Sequence, residues 1–153
     1  MTTYWKIKNE YLYIHLITDT YSHKIVGYKL SETLEAEASI QALQMALSRL
    51  ERERPLHLIL HPDRGLQYCS AKYVKLLQDY NVQISMIENG DPLENAIAER
   101  VNGILKDEYR NYYEVENSTE ATVLLHQVIK LCNEERLHLN IGNLVSEKCI
   151  LNM

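Results

Sequence analysis

No apolar run in this sequence of 153 residues approaches the ~20 residues a helix needs to cross a bilayer. The N-terminus also lacks the basic-then-apolar order of an export signal. These two absences set the expectation of a cytoplasmic protein with no membrane contact. Cysteine is scarce: Cys69, Cys132 and Cys149 are odd in number, which argues against a disulfide framework and for reduced thiols. Basic surplus is missing too, since 16 Lys and Arg stand against 21 Asp and Glu, a formal net charge of −5. Strong binding to nucleic acid through phosphate neutralisation alone calls for the opposite balance. A domain of this charge is expected to bind DNA weakly by itself. There is no internal repeat, low-complexity segment or interdomain linker.

What is present is ordinary globular material, 46% apolar and 24% charged, in a length that suits one core. A single domain over 1–153 is expected, with 137–153 as a tail. Residues 3–8 and 11–18 are rich in aromatic and β-branched types, with Asn9-Glu10 as a turn between them, and 24–30 again reads as strand. The period then changes. From Thr33 as N-cap, Ala38, Ile40, Leu43, Ala46, Leu47 and Leu50 recur at helical spacing up to Arg54, before Pro55. Leu56–Leu60 is a short apolar run fitting a central strand. Ser70 caps a second helix with Tyr73, Val74, Leu77 and Tyr80 inward, Val82–Ile87 returns to strand, a third helix spans Leu93–Tyr109, and a fourth starts near Ser118. That last helix is expected to bury Ala121, Leu124, Leu125, Val128 and Leu131. Three antiparallel strands followed by alternating helices and strands imply an α/β fold with a mixed five-stranded sheet flanked by helices, the ribonuclease H-like arrangement, although other α/β folds share this order.

The stretch from His61 to Lys106 carries the chemistry. Asp63 follows a strand end, and Glu99 lies on the polar stripe of the third helix, where Asn95, Glu99, Asn102 and Lys106 recur at i, i+4, i+7 and i+11. Two rigidly carried carboxylates can share Mg²⁺ or Mn²⁺ while leaving positions open for phosphate and water. Taken alone, each has a plainer explanation, the Asp as a turn or cap residue and the Glu as a solvated one.

The wording around them adds specificity. His61-Pro62-Asp63-Arg64-Gly65-Leu66-Gln67-Tyr68-Cys69-Ser70, then Gly90-Asp91-Pro92-Leu93-Glu94-Asn95-Ala96-Ile97-Ala98-Glu99 and Leu105-Lys106-Asp107-Glu108, resemble the signature segments of bacterial insertion-sequence transposases with a retroviral-integrase-like catalytic core. The spacing matches that family's Asp-x35-Glu. The likeness extends to Asp19, Tyr21 and Ser22, to Ile25-Val26-Gly27, and to Asn133, Arg136 and His138. The resemblance implies a transposase core: metal-dependent phosphodiester cleavage and strand transfer, with Asp63 and Glu99 as catalytic metal ligands for Mg²⁺ or Mn²⁺. Lys106 would contact a DNA phosphate, with a plain solvated lysine as the alternative, and Arg64 and Asn95 would shape the loops at the DNA. Its implied partners are DNA, as element ends and target, and further copies of itself or a full-length transposase.

The departures are equally specific. The family's first carboxylate belongs to an Asp-x-Thr-Tyr segment, and here Met1 precedes Thr2, Thr3 and Tyr4 where that Asp belongs. Pro62, Cys132, Leu137 and Ser146 replace the family's usual Ser, Tyr, Pro and Pro. The expectation is an N-terminally truncated core with impaired catalysis, or an inactive fragment that at most binds DNA or a full-length transposase. Asp19 is a weak substitute ligand, and a zinc site from His57, His61 and Cys69 is disfavoured against simple packing.

Overall fold

The computed structural model describes residues 1–8, 10–51, 57–62, 69–85, 92–109, 113–135, 137–138 and 144–145. Its first three strands, β1 (Thr2–Ile7), β2 (Glu10–Thr18) and β3 (Ile25–Ser31), form the expected meander in the order β1-β2-β3. Both ladders are antiparallel, with Thr2 opposite His15, Ile7 opposite Glu10 and Tyr13 opposite Ser31. Glu10 is therefore the first residue of β2, while Asn9 lies outside the described residues. Period-2 alternation sends Trp5, Ile7, Leu12, Ile14, Leu16, Tyr28 and Leu30 to one face, where they are buried.

The α1 helix (Ala36–Glu51) covers the other face. It begins two residues later than an N-cap at Thr33 implies, because the Thr33 N–H donates to Ser31 Oγ at 3.1 Å and so closes the turn leaving β3. The proposed end at Arg54 lies outside the described residues. Strand β4 (Ile59–Leu60) runs parallel to β5 (Gln83–Ile84), with α2 (Ala71–Asp79) between them. Ser70 is the N-cap of α2, accepting from the Tyr73 N–H at 3.2 Å. Tyr73 and Leu77 are buried beneath it, but Tyr80, expected inside, is the C-cap and is exposed. The α3 helix (Pro92–Ile104) passes directly into a π-helical turn (Leu105–Tyr109).

The α4 helix (Ser118–Glu134) starts where expected and is capped by Asn117, which accepts from the Glu120 N–H at 2.9 Å. Ala121, Leu125 and Val128 are buried as expected. Leu131 is exposed, its place inside taken by Ile129 and Cys132. The buried positions 121, 125, 128, 129 and 132 follow the i, i+4, i+7, i+8, i+11 repeat of one helix face, and Leu131 lies off that stripe. Within the stretch read as a tail, β6 (Leu137–His138) pairs antiparallel with β7 (Leu144–Val145).

The helices thus lie on both faces of the strands. One apolar cluster joins the inner sheet face to Val101, Ile104, Leu105 and α4, and another joins Ile40, Leu43 and Leu47 of α1 to α2, β4 and β5. The five expected strands are present as a three-stranded and a two-stranded ladder among the described residues.

Asn133, a residue of the recognisable C-terminal wording, locks α4 to β3. Its Oδ1 accepts from the Ile25 N–H at 2.9 Å and its Nδ2 donates to the Ile25 carbonyl at 3.0 Å, both deep inside. The amide thereby acts as a neighbouring strand for one residue of β3. Asn133→Leu should cost about 2 kcal/mol, because it leaves a buried donor and acceptor unmet. An unchanged urea midpoint would show that water replaces the amide at no cost.

Candidate metal and nucleic-acid site

The parallel pair delivers the chain to the site. Gln83 N–H donates to the Leu58 carbonyl at 2.9 Å and Ser85 N–H to the Leu60 carbonyl at 3.0 Å, which fixes the direction in which β4 ends. His61 and Pro62 follow, with His61 exposed. Asp63 and Arg64 lie outside the described residues, so the expected approach of the two carboxylates is not measured by the geometry. In parallel α/β sheets, ligands gather beyond the carboxyl ends of strands, which is where this segment emerges.

The α3 helix is held by Val101, Ile104 and Leu105, all buried, and this anchoring turns Glu99 to solvent. Pro92 opens the helix at a position where a missing N–H costs nothing. Lys106 is exposed within the π turn, and it lines a groove beside β1. Between them on the same stripe, the Oδ1 atom of Asn102 is buried and has no hydrogen-bond partner among the described residues. The side chain of Asn95 lies outside the described residues.

Position 1 lies on the sheet face covered by the cluster that includes Val101, Ile104 and Leu105. The Met1 ammonium donates to the Leu16 carbonyl at 2.9 Å and the Leu16 N–H donates to the Met1 carbonyl at 2.8 Å, so Met1 extends the β1–β2 ladder by one pair. Alternation then puts its side chain on the face of Trp5 and Ile7, and it packs against the cluster that contains Val101 and Leu105. A thioether there offers a hard divalent cation no good ligand.

Asp19 is occupied by its own loop. Its Oδ2 accepts from the Ser22 N–H at 2.8 Å and from Ser22 Oγ, and its carbonyl accepts from the His23 N–H. His23 takes the left-handed conformation at φ 60°. Its pKa lies below the ordinary histidine value, through burial first and then the Arg100 guanidinium, with Asp19 opposing. Arg100 neighbours Glu99 on α3, so the 19–24 loop lies within electrostatic reach of the turn that presents Glu99. His57, His61 and Cys69 are all exposed, and among the described residues no three His, Cys, Asp or Glu side chains are grouped to hold a metal.

Sequence reading passed over two features. One is the buried link between His15 Nδ1 and Ser39 Oγ, 2.7 Å, which ties β2 to α1. The other is the outward face of the β1–β2 hairpin, where tyrosines and lysines alternate; its signal was the period-2 spacing of Tyr4, Lys6 and Lys8 opposite Tyr11 and Tyr13.

A meander, a parallel βαβ unit and helices on both faces, with Glu99 presented from α3, define a mixed α/β fold of the ribonuclease H-like class. Among solved structures, the HTLV-2 integrase catalytic core domain in complex with magnesium superposes with a TM-score of 0.76 at 19% identity, covering 97% of this chain and 91% of that one. The catalytic core domain of BIV integrase gives 0.66 at 17% identity, over 99% and 91%. In sequence, an uncharacterized 31 kDa protein of insertion element IS600 from Shigella sonnei is 35% identical over 143 residues, 93% of this chain and 52% of that protein. Transposase InsF for insertion sequence IS3A of Escherichia coli (strain K12) is 39% identical over 97 residues, 63% of this chain and 33% of that one. The chain belongs to the integrase core domain family, whose models match residues 1–92 and 80–145. It spans about half the length of the first of these relatives and a third of the second. No helix among the described residues is long and apolar enough to cross a membrane.

Proposed function

We propose that this chain is the catalytic core of an insertion-sequence transposase, acting on DNA phosphodiesters with a divalent metal, Mg²⁺ or Mn²⁺, held by Asp63 and Glu99. The observation that carries this reading is the placement of Glu99: a carboxylate turned to solvent by a buried anchor, in a chain of the integrase core family. The donor chemistry of the carboxylates of Asp63 and Glu99 fits a hard cation, and the amide oxygen of Asn102, on the stripe of Glu99, has no hydrogen-bond partner among the described residues. When bound, the ion activates the attacking water or 3′-hydroxyl and neutralises charge at the phosphate.

The chain's own residues do the rest. Glu99 fixes the ion relative to α3, Lys106 offers a cation for a neighbouring phosphate, and Arg64 and Asn95 shape the loops over the DNA. Its partners in this reading are element ends, target DNA and further copies of the protein.

Position 1 tempers the activity. With Met1 where the family pattern has a carboxylate, the site has two of the three carboxylates, and turnover is expected to be low. The same observation favours a second reading, a fragment that binds DNA or a complete transposase without cutting. A supercoiled-plasmid nicking assay in Mn²⁺ separates them. A weak metal-dependent nicking that falls to background in Glu99→Gln supports the catalytic reading. Nicking that survives in Glu99→Gln, or none in the parent chain, would favour the fragment.

A further inference from the structure

We propose that the outward face of the β1–β2 hairpin and the groove beside it form a platform for an unpaired nucleic-acid strand, with bases stacking on tyrosines and phosphates meeting lysines. The inference rests on the nucleic-acid reading above and assigns a second surface to it. Tyr4, Tyr11 and Tyr113 are 58%, 55% and 54% exposed, an unusual outlay of aromatic surface for an ordinary solvent-facing wall. Tyr4 and Tyr11 meet edge to face with ring centroids 6.1 Å apart, and Lys6 Nζ stands 5.9 Å from the Tyr11 ring. These rings are carried by paired strands, so their positions are fixed before any ligand arrives.

The same face turns into a groove of about 540 Å³ lined by Tyr4, Lys6 and Lys8 on one side and by Tyr113, Glu114 and Glu116 on the other, with Lys106 at its wall. Lys106 lines this groove and also follows Glu99 on the polar stripe that continues from α3, so the groove adjoins the proposed site. Charge complementarity is modest, since three lysines oppose two glutamates. Glu116 holds Lys8 at 3.0 Å, but both side chains are about two-thirds exposed and the pair is easily exchanged for a phosphate. Stacking, which any base can supply, therefore dominates, and binding should be indifferent to sequence and only moderately salt-dependent.

The test is fluorescence anisotropy of a labelled 20-nucleotide oligo-dT with the full chain in EDTA, where catalysis is silent. Tyr4→Ala and Tyr11→Ala should each weaken binding about tenfold, whereas Tyr11→Phe stays within about twofold, because the ring and not the hydroxyl does the stacking. Glu116→Gln should tighten binding, and Lys75→Ala, a control on the exposed face of α2, should leave it unchanged. All are surface changes, and matched melting curves establish that each variant folds. Binding that is absent, that ignores both Tyr→Ala changes, or that is lost equally in Tyr11→Phe overturns the platform. So does self-association that depends on Tyr11 without any binding of the oligonucleotide. Glu99-dependent nicking alongside tyrosine-independent binding would sink this proposal alone, leaving the catalytic reading in place.

Discussion

Met1→Asp, made behind an added initiator methionine, is expected to raise Mn²⁺-dependent nicking by about 100-fold, or ~2.7 kcal/mol in barrier height. Because Met1 is paired in register with Leu16 through two backbone hydrogen bonds, its side-chain direction is set by strand alternation and not by a loose terminus. That direction is toward the face on which α3 packs, the helix that bears Glu99. In the proposed site, a carboxylate at this position would add a hard oxygen to those of Asp63 and Glu99. Such a third ligand would let the proposed site hold a pair of divalent ions, the arrangement that serves in-line phosphodiester displacement. Two controls give the result its meaning. Met1→Asn, also behind an added methionine, should gain little, since it is similar in shape but uncharged, and Glu99→Gln should cancel the gain of Met1→Asp. If Met1→Asp stays at the parent rate, the site lacks more than this ligand, and the fragment reading takes over.

Much of this was legible in the residues, for identifiable reasons. The change from period 2 to helical spacing after β3 announced α1, because an amphipathic helix must keep one stripe against the sheet whatever its neighbours are. Ser70 was readable as a cap since its role depends only on Tyr73, three residues on. Contacts between distant segments were not readable. Nothing local distinguishes Leu131, which is exposed, from Ile129, which is buried; that depends on how α4 crosses the sheet. Thr33 looked like a cap until Ser31 claimed its N–H.

The family wording behaved in two ways. In Asn133 it marks architecture, a strand-mimicking amide, and Asp19 likewise serves its own turn. In Glu99 and Lys106 it marks side chains that the fold turns outward. Sequence resemblance alone could not sort these two kinds of residue, because both are fixed in place, one by what it holds together and the other by what it must reach.

Gly27 makes the same distinction measurable. Glycine within a strand is ordinarily a weakness, and replacing it by alanine should gain up to about 1 kcal/mol on conformational entropy alone. Here the sign is expected to reverse. A Cβ on Gly27 would stand 2.2 Å from the Ala42 carbonyl oxygen and 2.9 Å from Ala46 Cβ. The α1 helix lies this close because its facing residues, Ala42 and Ala46, are small and buried, and β3 presents no side chain between them. The clashing atom at 2.2 Å belongs to the helix backbone, so no rotamer change relieves it and the whole helix must lift from the sheet. Lifting α1 also loosens the His15–Ser39 bond and the packing of Leu43 and Leu47 over α2. Gly27→Ala should therefore destabilise by about 3 kcal/mol, the upper part of the usual overpacking range. For a domain of this size that corresponds to a melting temperature lower by roughly 6–12 °C. Gly27→Val, with two more carbons at the same place, should fail to accumulate as folded protein. Ala46→Gly in the Gly27→Ala background should recover only a minor share, since it removes the contact at 2.9 Å and leaves the carbonyl where it is. Thermal and urea unfolding of the three variants decide the matter. A neutral or stabilising Gly27→Ala would mean that α1 does not press on β3 at this point, and the close seam between them would have to be abandoned.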